Sequence, residues 1–354
     1  MTDNAAKPPL LWGLTAVALI SGGLGGGCAV AAGYGGQSVG AAIAALLVVA
    51  AAVISPREML WKAGLVSATA TFLMLLLAHT TGGHPIAAGI SMALVAFVGA
   101  LLAAGGSGFA FAGSLLSLAY FVPAAALRVS NGLSLSRAIE LGLIGIAAGL
   151  VIVGAVVVLR ALRGSPPDKP EEQSTPADAK ISPRAAIGES LRQRDNTFRY
   201  ATRRALALGV AMGIFQINNN QNVFWIMLTI FIVLGPDRAS SWEKALKRSG
   251  GVIVGALVIS GLSEVLPAEV IFGLAAFALL GGLLYLQRNY TVWAAGITFM
   301  VLTLFGAQDH DFIVWAERRV VDTLIGAAIA LLVGYLVLPD RKNRDDLSAS
   351  DPEV

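Results

Sequence analysis

Apolar residues run along this chain in long blocks broken by short polar interruptions, with little of the helical or alternating periodicity of a soluble domain. A hydrocarbon core about 30 Å thick takes roughly 20 apolar residues to cross as helix, and a helix satisfies its own backbone hydrogen bonds where water is absent. The blocks predict twelve such helices. Six fall near 10–31, 36–54, 59–78, 85–104, 107–127 and 137–160, and six near 200–216, 222–235, 248–265, 268–286, 290–306 and 318–338. The expected fold class is therefore an all-α polytopic membrane protein.

Between the two groups the pattern fails. Residues 163–197 are charged and carry Pro166, Pro167, Pro170, Pro176 and Pro183, so they bury too little apolar surface to offset the entropy of ordering. They read as a linker between a first repeat (1–162) and a second (198–340), with a short amphipathic helix near Ile187 to Arg194. Residues 341–354 read as a disordered tail.

Composition agrees with the blocks: 56% of the 354 residues are hydrophobic and 13% charged, against about 25% charged in an ordinary soluble domain. The net charge of +3 comes from basic residues scattered at segment ends, which excludes a nucleic-acid surface. The single cysteine, Cys28, excludes an internal disulfide framework. Five glycines in Gly22–Gly27 invite a lipoprotein reading, but position 25 is Gly where that signal has leucine, and the recurring apolar blocks argue against a cleaved signal peptide.

With the amino terminus cytoplasmic, 21 of the 25 lysines and arginines fall on the inner side, leaving Arg128, Arg137, Arg318 and Arg319 outside. The positive-inside rule then places both termini and the linker in the cytoplasm. The halves echo one another. Ser55-Pro56-Arg57 closes the second block as Gly235-Pro236-Asp237-Arg238 closes the eighth, and Arg137-Ala-Ile-Glu140 parallels Arg319-Val-Val-Asp322, although the Leu-Ile-Gly that follows slips by one residue. Six helices per half make such repeats parallel, an arrangement transporters build around a central site. Glycines four apart, such as Gly22/Gly26, Gly23/Gly27 and Gly251/Gly255, suit close helix packing.

The second half carries a resemblance. Arg199 and Arg203 open a helix, Phe224-Trp225 starts the next, Leu234-Gly235-Pro236 follows, then Lys244-Ala-Leu-Lys-Arg248-Ser-Gly250-Gly251, and last Arg319-Val-Val-Asp322-Thr-Leu-Ile-Gly326 with Pro339. From Phe198 to Arg341 the chain resembles the fusaric acid resistance (FUSC) family of bacterial aromatic acid exporters, and plant malate channels look distantly related. The resemblance implies a bacterial inner-membrane protein that moves aromatic carboxylates or similar small organic anions outward, often beside a periplasmic adaptor protein. It departs from larger relatives in having only the linker and tail where they carry cytoplasmic domains.

Charged residues supply the candidate chemistry, because a charge at the centre of a membrane helix costs about 2.5–3.5 kcal/mol and tends to face water or a partner. Asp322 lies seventeen residues before Pro339, roughly 25 Å at 1.5 Å per residue, which predicts a position near the outer edge with Arg318 and Arg319 among the headgroups. Two readings stand. Arg318 or Arg319 neutralises Asp322 as a helix-end ion pair; or the pairs Arg137/Glu140 and Arg319/Asp322 line one outer vestibule, guanidiniums holding a carboxylate while Glu140 or Asp322 takes up a proton.

Toward the cytoplasm, Arg203, Arg204, Lys244, Lys247 and Arg248 either anchor helix ends or draw anions to an inner mouth, with Arg248 singled out by its match to the family arginine. Trp225 is the best-placed ring to stack on an aromatic substrate, though interfacial belts also put tryptophan at helix ends. His79, His84 and His310 show no zinc spacing, and no catalytic triad or nucleotide loop is present, so neither an enzyme nor a cofactor is expected. The expected partners are a small organic anion and membrane lipid. The reading is a proton-coupled exporter, with a passive anion channel and a non-transporting assembly component as alternatives, and a homo-oligomer left open.

Overall fold

The protein's structure is a computed structural model that describes residues 12–34, 38–55, 57–129, 134–162, 182–218, 223–286, 288–309 and 311–338. Most of the expected linker, the tail, Pro56, His310 and Pro339 lie outside the described residues. The regular secondary structure among the described residues is all helical. In chain order they form α1 (Trp12–Ala31), α2 (Ser38–Ile54), α3 (Leu60–Thr81), α4 (Pro85–Leu101), α5 (Ser107–Val129), α6 (Leu135–Leu162), α7 (Pro183–Gln193), α8 (Asn196–Ile217), α9 (Val223–Val233), α10 (Arg238–Ser263), α11 (Ala268–Tyr285), α12 (Tyr290–Asp309) and α13 (Phe312–Leu336). Short 3-10 turns precede α3 and follow α4.

Seven of these segments are long and apolar enough to cross a membrane by length and composition, and four more are shorter apolar helices. Large apolar side chains such as Val66, Ile86, Leu257 and Phe277 face outward, which suits contact with lipid tails and not water. The chain is thus an all-α, multi-pass membrane protein.

Two helices begin earlier than hydropathy predicts, and both shifts matter for the site. The carboxylate of Asp237 accepts from the Ser240 N–H at 2.8 Å and starts α10 at Arg238, not near residue 248. Likewise Asp311 accepts from Val314 N–H at 3.1 Å and starts α13 at Phe312, not 318. Polar first turns are not apolar but are good helix, and Glu243 and Lys247 pair one turn apart on α10. The amphipathic stretch expected near Ile187–Arg194 is α7, with Ser182 at its N-cap, Pro183 in the first turn and Arg194 closing it in the left-handed region.

In the first half α2 packs on α1, α3 and α6, and α3 on α5 and α6, with α4 on α5. In the second half α10 packs on α12 and α13, α12 on α11, and α13 on α9. The halves meet chiefly along α4 and α8. That crossing is possible because the facing positions are glycines: a Cβ on Gly89 would sit 2.9 Å from the Gly209 carbonyl oxygen, and one on Gly209 would meet Gly89 O at 2.9 Å and Ala93 Cβ at 2.8 Å. Of the glycine pairs expected to pack, Gly251 and Gly255 do, against Thr291 O and Ala295 O of α12. Gly22 and Gly26 touch α2 loosely, Gly23 and Gly27 touch nothing, and the tight contact on α1 is Gly25 against Ala41 O.

A core shared by both halves fills the seam, including Met92, Tyr120 and Phe121 from the first and Met212, Phe215, Met227 and Ile230 from the second. Arg203, 1% exposed, donates to Gly334 O at 3.2 Å and Pro236 O at 2.8 Å. It therefore closes the carboxy-terminal ends of α13 and α9, where free carbonyls favour a cation.

A Gly209→Val substitution is expected to separate α4 from α8 and cost on the order of 1–3 kcal/mol of stability, whereas Gly154→Val, in open space, should be close to neutral. Thermal unfolding of the purified protein in detergent reads the difference. Equal melting temperatures for the two variants would remove the glycine crossing as the basis of the seam.

Candidate functional site

Arg248 lies ten residues into α10, about 15 Å along the helix, and Arg319 lies seven residues into α13, about 10 Å along. Because α10 and α13 pack together, the two side chains reach the same interior region from their separate helices, and their charges interact directly. Both are buried, Arg248 at 1% and Arg319 at 3% exposed. The Asp237 and Asp311 caps start α10 and α13 several residues before these arginines, so both side chains are carried on helix and packed against neighbouring helices.

Three further groups complete the cluster. Tyr290, the first residue of α12, places its hydroxyl beside the Arg248 guanidinium without hydrogen-bond geometry, and it also senses the charge of Arg319. Asp322, one turn beyond Arg319 on α13, is 7% exposed and faces the Arg319 and Arg318 charges. Trp225 on α9 lies under Arg319, whose guanidinium carbon is 4.1 Å from the ring centroid, a distance at which the ring face attracts the cation. Trp225 meets Phe305 edge-on, Phe305 meets Trp315, and Arg318 stands over Trp315, so an aromatic row lines one wall. The row, with Arg318, Arg319 and Asp322, lines a cavity of about 10 Å³, room for one water-sized body, while Arg248 and Tyr290 stand outside its lining.

What distinguishes this cluster is unused hydrogen-bonding capacity. Arg319 Nε and Nη1, Arg248 Nε, Tyr290 Oη and Asp322 Oδ2 are all buried and have no hydrogen-bond partner among the described residues. Each buried donor or acceptor left unmade costs about 1–3 kcal/mol, and more when charged. No ion pair joins Asp322 to either arginine, so the expected helix-end pair of Asp322 with Arg318 or Arg319 is not formed. Two guanidiniums offering planar donor forks, with one carboxylate beside them, have the chemistry of an anion site.

The first-half residues stand elsewhere. Arg137 and Glu140 are exposed near the start of α6, and Glu140 accepts from the Tyr34 hydroxyl. Since α6 packs on α1, α2 and α3 while α13 packs on α9, α10 and α12, the two Arg/acid pairs belong to separate helix groups. Arg318 is exposed, unlike its neighbour. Sequence reasoning missed Tyr290, which follows Arg288 and Asn289 and looks like an interfacial tyrosine; only the packing of α12 against α10 turns it inward. Among the described residues no group of three or more His, Cys, Asp or Glu side chains could hold a metal ion.

The model of the fusaric acid resistance protein-like family matches residues 207–333, which take in Trp225, Arg248, Tyr290, Arg319 and Asp322. The chain is similar to part of the inner membrane protein YccS of Escherichia coli, 31% identical over 155 residues, which cover 42% of this chain and 21% of YccS. An uncharacterized protein of Synechocystis is 28% identical over 159 residues, covering 44% of this chain and 21% of the relative. The uncharacterized protein ORF2 of Neisseria gonorrhoeae is 26% identical over 200 residues, 52% of this chain and 46% of its own. The chain therefore spans between about a fifth and a half of the length of these relatives. No solved structure matches.

If the arginine cluster takes up an anion, bromide should raise the melting temperature of the detergent-solubilised protein, since a ligand bound at 100 times its Kd adds about 2.7 kcal/mol. A double variant, Arg248→Gln with Arg319→Gln, should lose most of that rise. A rise of the same size in the double variant would assign the stabilisation to another place.

Proposed function

We propose that this protein is an inner-membrane transporter that moves small organic anions, aromatic carboxylates first among them, out of the cytoplasm in a proton-coupled cycle. The observation that carries the reading is the buried Arg248/Arg319 pair with unpartnered donors and a single nearby carboxylate. A buried charge without a partner costs several kcal/mol, and a cluster that keeps two such charges has use for a mobile counter-ion. The likeness of residues 207–333 to the fusaric acid resistance protein-like family supports the same assignment.

The architecture under this reading is twelve spans in two parallel six-helix repeats. Helix pairings support it: α2–α6, α3–α6, α3–α5 and α4–α5 have counterparts in α9–α13, α10–α13, α10–α12 and α11–α12. Across the seam the α4–α8 contact has its counterpart in a smaller α11–α1 contact, as a rotation exchanging the halves requires. α9, at eleven residues, runs only about 16 Å, and the half-buried Trp225 lies in its first turn. Both termini are cytoplasmic in this orientation, which follows from the lysine and arginine count.

In the transport cycle Asp322 is the acid that competes with the cargo. Ionised, it balances one guanidinium and weakens the hold on an anion; protonated, it leaves both guanidiniums for the anion. A proton on Asp322 and an anion on the guanidiniums therefore occupy the one site together and cross together. The 10 Å³ cavity is far too small for a benzoate, so the described conformation is closed around the site. A closed site favours a carrier over an open pore, because an open pore would leave a continuous wet path.

In proteoliposomes loaded with benzoate, an imposed pH gradient, acid inside, is expected to drive efflux by the wild-type protein and not by Asp322→Asn, which should still insert and still exchange benzoate for benzoate. Full pH-driven efflux by that variant would remove Asp322 from the coupling. Absence of exchange acceleration in the wild type would indicate a channel, and absence of any flux a non-transporting role.

A further inference from the structure

A second positive site lies at the seam between the halves, at the end of the bundle where α8 and α10 begin. A cavity of about 420 Å³ opens there, lined from the first half by Ala103 and Phe111 and from the second by Tyr200, Arg204, Phe231 and Lys244. It adjoins a cleft of about 250 Å³ that shares Ala103, Tyr200 and Pro236 with it and leads to Asp237. Unlike the closed cluster between α10 and α13, this space is large enough for a one-ring organic acid.

The chemistry of its wall is specific. Arg204 is 6% exposed and forms no ion pair among the described residues. Its guanidinium carbon sits 4.3 Å from the Phe231 ring centroid and 5.8 Å from that of Tyr200, and it donates to the Tyr200 hydroxyl. Its Nε is buried and unpartnered. Lys244 shares its charge with Asp237, whose carboxyl is held below the usual carboxylate range, first by the Ser240 backbone N–H and in smaller part by Lys244. Arg204 is therefore the group in this cavity without a carboxylate. Two rings hold it in place while the cavity stays open over it.

We propose that this seam cavity is a loading site for aromatic carboxylates, in which Arg204 binds the carboxylate and Tyr200, Phe231 and Phe111 enclose the ring. The assignment rests on the anion-transport reading for its place in the cycle, but binding itself is independent of it. A guanidinium set among aromatic faces selects an anion that also carries an apolar ring, because a small inorganic anion leaves the ring surface wet. Since both halves line the cavity, an occupant bridges them, and its arrival and departure bear on how they sit together.

The test is benzoate titration by calorimetry of the full chain in lipid nanodiscs. Arg204→Gln is expected to weaken binding at least tenfold, Arg204→Lys to weaken it less, and Ala103→Phe, which fills the cavity and keeps Arg204, to weaken it as strongly as Arg204→Gln. Sulfate at equal concentration should compete poorly. Arg319→Gln should keep this binding while losing transport, so a wild type that binds benzoate at the seam without any flux would refute the transport reading and leave the site standing. The assignment is overturned if wild type binds no benzoate, or if Arg204→Gln and Ala103→Phe both bind like wild type. It is overturned too if native mass spectrometry finds an anionic phospholipid held through Arg204 that benzoate does not displace.

Discussion

Two guanidinium groups placed together inside an apolar helix bundle, with one carboxylate near them, are the constraint around which the second half is organised. Like charges close enough to couple repel by on the order of 2–4 kcal/mol at an effective dielectric of about 20, before any desolvation is counted. The protein offsets part of this with the Trp225 face under Arg319, the Tyr290 hydroxyl near Arg248 and the neighbouring Asp322. The remaining donors stay unpartnered. A fold selected for stability alone would do better with apolar residues at both positions, so the arrangement points to an occupant that comes and goes.

Small residues make that arrangement possible. Gly251 and Gly255 bring α10 onto α12, and Gly326 brings α13 onto α9, where a Cβ would meet Ile226 O at 2.6 Å. Close backbones put Arg248, Tyr290, Arg319 and Trp225 within reach of one another although they come from four helices. Elsewhere cations serve the fold instead. Arg203 closes helix ends, and Arg238 donates to Tyr335 O while covering the Tyr335 ring. Neighbouring arginines in one sequence run thus divide the work: Arg203 meets backbone carbonyls, and Arg204 meets rings and open space.

Helix existence was legible because lipid demands uninterrupted apolar blocks, and each predicted block corresponds to a helix. Where those helices begin was less legible, since hydropathy ignores polar turns, and the signals that mark them are the single capping carboxylates Asp237 and Asp311. Those polar turns put Arg248 and Arg319 well inside their helices and not at the first residues. Arg248 could be singled out through its family match, and Trp225 through its place at the start of α9. The meeting of Arg248 with Arg319 could not be read, because it depends on α10 packing against α13 across a long stretch of chain. The seam cavity was similarly hidden: Ala103 and Phe111 carry no chemistry until Arg204 faces them.

The most direct test is an experimental structure of the full chain grown or frozen in bromide, with the anomalous signal of the ion recorded. The account predicts a bromide peak between the guanidiniums of Arg248 and Arg319, beside Tyr290 and on the side of Asp322. It is contradicted if that space is empty of halide while Asp322, or another carboxylate of the chain, is found bonded to both arginines, because the charge would then be balanced from within.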